Sequence, residues 1–250
     1  MQRSGSDLGL ATLVMLSLLG LFAPSAFADT LVVYGTSGNV GSLIVAEALE
    51  RGHEVIGVSR NPDRLEVDHP NFSAIQGDVT DPDSIVASVR GADAVIIAVG
   101  GVGEGNAPET AVAYRGALAY IEAASRLGAA TPYVIQVGSG TSLLRDGVPV
   151  FDTLDIEPGT FVHGLFYGHQ LALDAYRASS GFDWVVMSAA YGSIMQEGVI
   201  MNRYRLGDQE TLFDRNGSSL LHKNDYAIAV IDMAESHTVT GKRVAVGPMW

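Results

Sequence analysis

Three glycines spaced three apart, Gly35, Gly38 and Gly41, frame the segment Gly35-Thr36-Ser37-Gly38-Asn39-Val40-Gly41. Glycine supplies 29 of the 250 residues, so the spacing alone says little and its setting decides. The segment follows the apolar run Leu31-Val32-Val33-Tyr34 and precedes a stretch in which Val40, Leu43, Ile44 and Ala48 share one helical face. A strand that bends into a helix through residues lacking Cβ atoms exposes main-chain N–H groups, and the helix dipole there favours an anion. The first glycine then makes the tight turn, the second admits a pyrophosphate, and the third lets the helix pack on the strand. The chemistry expected is dinucleotide binding, with Gly35, Thr36, Ser37, Gly38, Asn39, Val40 and Gly41 around the phosphates; the plainer alternative is a purely structural turn.

A strand expected over Glu54–Ser59 ends where the choice of dinucleotide is made. Sites for NAD place a carboxylate there, about 20 residues past the glycines, to accept from a ribose hydroxyl. This chain has Ser59-Arg60, followed by Arg64. A guanidinium can hold a 2′-phosphate through two donors where a carboxylate would repel it. NADP(H) is therefore the expected cofactor and NAD the open alternative, with Arg60 as a mere surface charge the duller reading. Asp78 and Val79 follow the third expected strand; the Asp78 carboxylate can accept from an adenine amino group or cap the helix opening at Asp81-Pro82. Val99 and Gly100 close the fourth, where small residues suit a close ligand approach.

The elements that would position these residues alternate β-rich runs with helical patterns, which implies α/β architecture with a doubly wound parallel sheet. Further strands are expected at Phe72–Gln76, Ala94–Val99, Tyr133–Val137 and Trp184–Met187, with Arg243–Val246 ending the sheet. Helices are expected from Asp81 to Arg90, from Pro108 to Leu127 with Tyr114, Ala117, Leu118 and Ile121 on one face, and from Leu165 to Ser180. A last helix, capped by Asn224 or Asp225, buries Ala227, Val230, Ile231 and Ala234. Residues from about 189 to 222 read as a small C-terminal substrate lobe with β-like pieces at 204–206 and 211–213, so residues 29–250 form one domain.

Composition narrows the class. A formal charge of −13 with only two lysines, Lys223 and Lys242, argues against nucleic acid. There is no cysteine, which removes disulfides and thiolate chemistry. No pair among the six histidines has the spacing of a helical zinc site, so no metal is expected, and Met187, Met195 and Met201 read as core fillers. Arg3, the apolar stretch Leu8–Phe22 and Ala26-Phe27-Ala28 read as a signal peptide over residues 1–28, hence a periplasmic or secreted protein. An uncleaved anchor or a misassigned start is the alternative.

The glycine turn, Ser59-Arg60-Asn61-Pro62, Gly77-Asp78-Val79, Ser180-Gly181-Phe182-Asp183-Trp184 and Asn224-Asp225-Tyr226-Ala227, in that order, resemble the atypical short-chain dehydrogenase/reductases. The groups most similar are the NmrA-like and flavin/biliverdin-reductase-like NAD(P)-binding proteins. The resemblance implies a sheet of about seven strands, the pyrophosphate on the three glycines, a 2′-phosphate on Arg60 and adenine by Asp78. One departure stands out. Active short-chain dehydrogenases use Tyr-x-x-x-Lys, yet residues 219 and 238, four before the two lysines, are Ser and Thr, and Leu171 stands four after Tyr167. Substitute candidates are Ser139 and Ser142 as hydrogen-bond donors, with Tyr167 and His169 at the start of a helix. The expected function is a reductase passing hydride to a small carbonyl, quinone or flavin-like acceptor; a dinucleotide sensor without turnover, or a non-redox isomerase, are the alternatives.

Overall fold

The computed structural model describes residues 28–190 and 200–250. Met195 and nearly all of the expected signal peptide lie outside those residues. The chain opens with β1 (Thr30–Tyr34), α1 (Gly41–Glu50), β2 (Glu54–Ser59), β3 (Phe72–Gln76), α2 (Pro82–Ser88) and β4 (Ala94–Ile97). It continues with α3 (Val112–Leu127), β5 (Tyr133–Gly138), the two-residue strands β6 (Leu144–Arg145) and β7 (Val148–Pro149), and α4 (Phe161–Ala178). The last elements are β8 (Trp184–Ala189), β9 (Arg205–Gly207), α5 (Lys223–Ser236) and β10 (Lys242–Gly247).

The main sheet runs β3-β2-β1-β4-β5-β8-β10-β9. All neighbours pair in parallel except β9, which lies antiparallel to β10. The expected doubly wound α/β fold is thus present, with an eighth strand beyond the seven. Strand order reverses between β1 and β4, and a crevice opens outside their carboxyl ends. Alternation along the strands buries both faces. Leu31, Val33, Ala94 and Ile96 pack with α1 and α5, whereas Val32, Tyr34, Val95 and Ile97 pack with α3 and α4. Each such Val or Ile, fully buried, stabilises by about 1.5–3 kcal/mol.

Several expectations are corrected. β10 does not end the sheet, because residues 205–207 return to take its outer hydrogen bonds. Residues 211–213 form no strand: Thr211 donates to the Leu144 carbonyl at 2.7 Å, and the Leu212 side chain fills the space beside Gly207 and Gly247. The helix expected from Pro108 is broken at Ala111, which is extended (ψ 132°), so α3 begins at Val112. Its buried face is Ala113, Gly116, Ala117 and Tyr120. At Gly116 the helix sits close to Val79; a Cβ there would lie 3.2 Å from it. Tyr114, Leu118 and Ile121 instead line a shallow groove against Leu171 and Ala175 of α4. Met201 is 47% exposed rather than a core filler, while Met187 is buried.

Two helix starts also differ. Thr160 caps α4, accepting from the His163 N–H at 3.3 Å, so this helix opens a turn earlier than its apolar pattern suggests. The cap of α5 is the imidazole of His222, whose Nδ1 accepts from the Asn224 N–H at 3.1 Å. Asp225 lies inside the helix, buried. Its carboxylate accepts from the main-chain N–H groups of Met201 (3.0 Å) and Asn202 (2.8 Å), tying the segment before β9 to α5. No helix among the described residues is long and apolar enough to cross a membrane.

Candidate functional site

The glycine turn folds where β1 gives way to α1, and steric demands explain its residues. Gly35 has φ +86°, and a Cβ there would stand 2.2 Å from the Ala98 carbonyl oxygen at the end of β4. A Cβ on Gly41 would stand 2.1 Å from the Gly35 carbonyl oxygen. Gly38 is less crowded: its N–H donates to the Gly35 carbonyl at 2.9 Å, and a Cβ would meet that oxygen at 3.1 Å. Backbone is therefore packed on backbone below the turn, with Gly38 on its open side. No side chain caps α1, and its first turn holds no acidic residue. Its N-terminal dipole is left to whatever occupies the crevice.

That crevice is a cavity of about 480 Å³, within the range of small-molecule sites. Gly35, Thr36, Ser37 and Gly38 line it from β1, Ser59 and Arg60 from β2, Asp78, Val79 and Thr80 from β3, and Val99 and Gly100 from β4. Thr36 is 4% exposed and its hydroxyl has no hydrogen-bond partner among the described residues. An unpartnered buried hydroxyl costs free energy unless a ligand satisfies it. A turn with three glycines, an uncapped helix and this hydroxyl together fit a bound pyrophosphate.

Asp78 does not cap the following helix; Asp81 does, accepting from the Asp83 N–H at 3.0 Å. Instead the Asp78 carboxylate accepts from the Thr80 N–H and hydroxyl, each at 2.8 Å. Burial by itself would raise its pKa, but the Thr80 donors, with Arg60 and Arg115 nearby, hold it below the usual carboxylate value. It is an acceptor fixed in the charged form. Arg60 is exposed at the cleft mouth, its carbonyl accepting from Gln76 Nε2 at 3.5 Å. Arg64 ends a short 3-10 turn and is not among the cleft-lining residues. Asn39, Val40 and Gly41 are not among the cleft-lining residues.

Sequence reasoning missed two cations. Arg115, in the first turn of α3, faces the cleft. Lys223, at the start of α5, reaches the glycine turn and donates to Asn39 Oδ1 at 3.1 Å. Lys223 is one of two lysines, and that scarcity was the available signal; nothing in the spacing marks Arg115.

The expected proton donors are differently placed. Ser139 follows β5 and its Oγ lies 2.7 Å from Thr141 Oγ1 while accepting from the Thr141 N–H. Ser142 is buried, with its carbonyl held by the guanidinium of Arg243 and its hydroxyl donating to the Ser139 carbonyl at 2.7 Å. Tyr167 and His169 sit within α4 rather than at its start. The Tyr167 ring packs on Phe151 and His163, and its hydroxyl points to Asp152 Oδ1 at 3.3 Å. Burial and the neighbouring Asp152 raise its pKa above the usual phenol value, the reverse of what a lysine partner would do. Burial pushes His169 down to about 4, and its Nδ1 has no partner among the described residues. The imidazole is therefore neutral at pH 7.

Fold and crevice together define a Rossmann-type NAD(P)-binding protein. Residues 35–237 match the family described as NAD(P)H-binding, and the chain belongs to that family. Its cofactor is a nicotinamide dinucleotide, and its fold is that of NAD(P)-dependent oxidoreductases and epimerases. Over 64 residues it is 39% identical to a 3-beta-hydroxysteroid dehydrogenase of Mycolicibacterium neoaurum, covering 26% of this chain and 17% of that protein. Over 113 residues it is 32% identical to the chloroplastic divinyl chlorophyllide a 8-vinyl-reductase of Zea mays, covering 40% of this chain and 28% of that one. These matches span less than a third of the curated relatives' length. Among solved structures, a protein of Bacteroides thetaiotaomicron provisionally named an epimerase superposes with TM-score 0.76 at 28% identity, over 89% of this chain and 98% of that one. A protein of Burkholderia pseudomallei provisionally named an exported protein gives TM-score 0.70 at 27% identity, over 88% and 99%.

Proposed function

We propose that the protein is an NADP(H)-dependent reductase that passes hydride to a small carbonyl, quinone or flavin-like acceptor without a Tyr-x-x-x-Lys pair. The observation that carries the cofactor preference is Arg60 at the cleft mouth, where an NAD site would hold a carboxylate. In this reading the glycine turn and Thr36 hold the pyrophosphate, Arg60 the 2′-phosphate, Asp78 and Val79 the adenine, and Val99 and Gly100 flank the ribose. When bound, the nicotinamide supplies the hydride, and the protein orients it and excludes water. Ser139, just beyond β5, is the proposed hydrogen-bond donor to an acceptor oxygen. Flavin- and quinone-type acceptors suit a site in which Tyr167 holds its proton tightly and His169 is neutral. The Zea mays relative is named a reductase, in keeping with this.

Those same two side chains favour a second reading, a dinucleotide sensor without turnover. Titrating the purified protein with NADPH and NADH, then following nicotinamide absorbance over quinones, flavins and aldehydes, separates them. Oxidation of NADPH supports the reductase; tight binding without oxidation supports the sensor; no binding sinks both. We further propose that the protein is exported, acts on a small molecule and binds no nucleic acid. Its described fold starts just after Ala28: the Asp29 N–H donates to His53 Nδ1 at 3.1 Å, and β1 begins at Thr30. Cleavage after Ala28 would therefore remove no described element. The name of the Burkholderia pseudomallei protein agrees. Mass spectrometry of the protein recovered from cell fractions tests this, and a full-length cytoplasmic chain would refute it.

A further inference from the structure

Acidic residues outnumber basic ones by 28 to 15, and three arginines pair with carboxylates among the described residues. Arg51 pairs with Glu47, Asp232 and Glu235, Arg126 with Asp83 and Glu122, and Arg177 with Asp174. Arg60 and Arg115 make no such pair, as is also true of the exposed Arg64, Arg90, Arg203 and Arg215; what sets the two apart is their place on the cleft lining. They come from different elements, one just beyond β2 and the other in the first turn of α3, yet both are exposed and both line the same cleft. Neither guanidinium makes a hydrogen bond or an ion pair among the described residues. The one carboxylate on the lining, Asp78, feels both charges but is engaged with Thr80. Each guanidinium therefore presents its N–H donors, five per side chain, to the cleft.

The main chain that carries Arg115 is held in place. Its helix is seated by the close approach of Gly116 to Val79, which itself lines the cleft. Both guanidiniums lie near enough to Asp78, just beyond β3, to act on its carboxylate.

We propose that Arg115 is the second arm of a two-guanidinium clamp on the 2′-phosphate of NADP(H), and that with Arg60 it sets the dinucleotide preference. This rests on the NADP(H) reading above. A phosphate near neutral pH carries close to two negative charges and three acceptor oxygens. One exposed guanidinium neutralises it in part; two approaching from separate elements neutralise it and fix its position through charge-assisted bonds. A ribose 2′-hydroxyl offers neither charge nor enough acceptors for both. The clamp therefore acts on the difference between the two dinucleotides, unlike a guanidinium stacked on adenine, which would serve both alike.

Affinities of the native protein, Arg60→Ala, Arg115→Ala and Arg115→Lys for NADPH, NADH, adenosine 2′-monophosphate and adenosine 5′-monophosphate test the clamp. Thermal melting of each variant serves as a fold control. Arg115→Ala is expected to weaken NADPH and the 2′-monophosphate about 10- to 100-fold, the range of a lost charged hydrogen bond. NADH and the 5′-monophosphate should change by no more than about twofold. Arg115→Lys should fall between, keeping the charge but not the fork. Equal weakening of NADPH and NADH would assign Arg115 to the adenine and overturn the clamp. Should Arg60→Ala abolish the NADPH preference while Arg115→Ala leaves it intact, the clamp falls and the NADP(H) reading survives. A native protein binding NADH as tightly as NADPH would sink that reading and the clamp with it.

Discussion

Replacing Gly41 and Gly38 by alanine, one at a time, separates the glycine that holds the turn together from the one that leaves room for the ligand. The Cβ of Gly41→Ala would be placed 2.1 Å from the Gly35 carbonyl oxygen and 2.8 Å from its carbonyl carbon. Comfortable contact needs about 3.5 Å, so more than an ångström must be found, and both obstacles are main chain that cannot rotate away. Overpacking of this kind costs about 1–3 kcal/mol, with backbone obstacles at the upper end. At about 2–4 °C per kcal/mol for a chain of this size, the expected loss in Tm is about 6–12 °C. In Gly38→Ala the nearest atom, again the Gly35 oxygen, lies 3.1 Å away. A shift of a few tenths of an ångström relieves that contact, so Tm should fall by about 4 °C at most. The added methyl nevertheless stands in the turn that lines the cleft. NADPH at about 100 times its Kd should stabilise the native protein by about 2.7 kcal/mol, or about 5–11 °C, and Gly38→Ala should lose most of that gain. Thermal circular dichroism with and without NADPH reads both quantities. A Gly41→Ala protein melting within about 2 °C of the native one would show that the turn is soft. A Gly38→Ala protein keeping the full NADPH shift would show that no phosphate rests there.

Other outcomes follow from the buried polar groups. His169 has its folded pKa lowered to about 4 from 6.5, so the unfolded chain binds the extra proton first; stability is full above about pH 6.5 and declines as pH falls toward 4, by about 3 kcal/mol at most. Urea unfolding of His169→Gln should lack that part of the slope, and an unchanged profile would refute the burial argument. Tyr167→Phe should leave turnover within about threefold, because a phenol whose pKa is raised by burial and by Asp152 is a poor proton donor; a loss of about 100-fold would make it the acid after all. Asp225→Ala leaves the N–H groups of Met201 and Asn202 without their carboxylate, at about 1.5–3 kcal/mol for a bond to a charged group. It should lower Tm by about 3–12 °C and hasten proteolysis near residue 201, and native-like resistance would argue against the anchor.

What the chain reveals on reading alone is whatever is set within one strand-turn-helix unit. Leu31 to Ala48 carries its own signal, because apolar runs, helical spacing and missing Cβ atoms are properties of neighbouring residues, and the turn they form is the one seen. The strands at Glu54–Ser59 and Phe72–Gln76 were legible for the same reason, and Arg60 with them. Packing between distant segments settled the rest. Arg64 lies only four residues past Arg60 but is not on the cleft lining, while Arg115, 55 residues on, is. The α3 helix turns Ala113, Gly116, Ala117 and Tyr120 inward, and at Gly116 it sits so close to Val79 that a Cβ would lie 3.2 Å from that side chain. Lys223 meets Asn39 across 184 positions. The neutrality of His169 depends on which side of α4 is covered, a fact its neighbours in sequence do not contain. Local covalent geometry wrote the phosphate turn into the chain, and only the folding of remote helices onto the sheet chose which charges surround it.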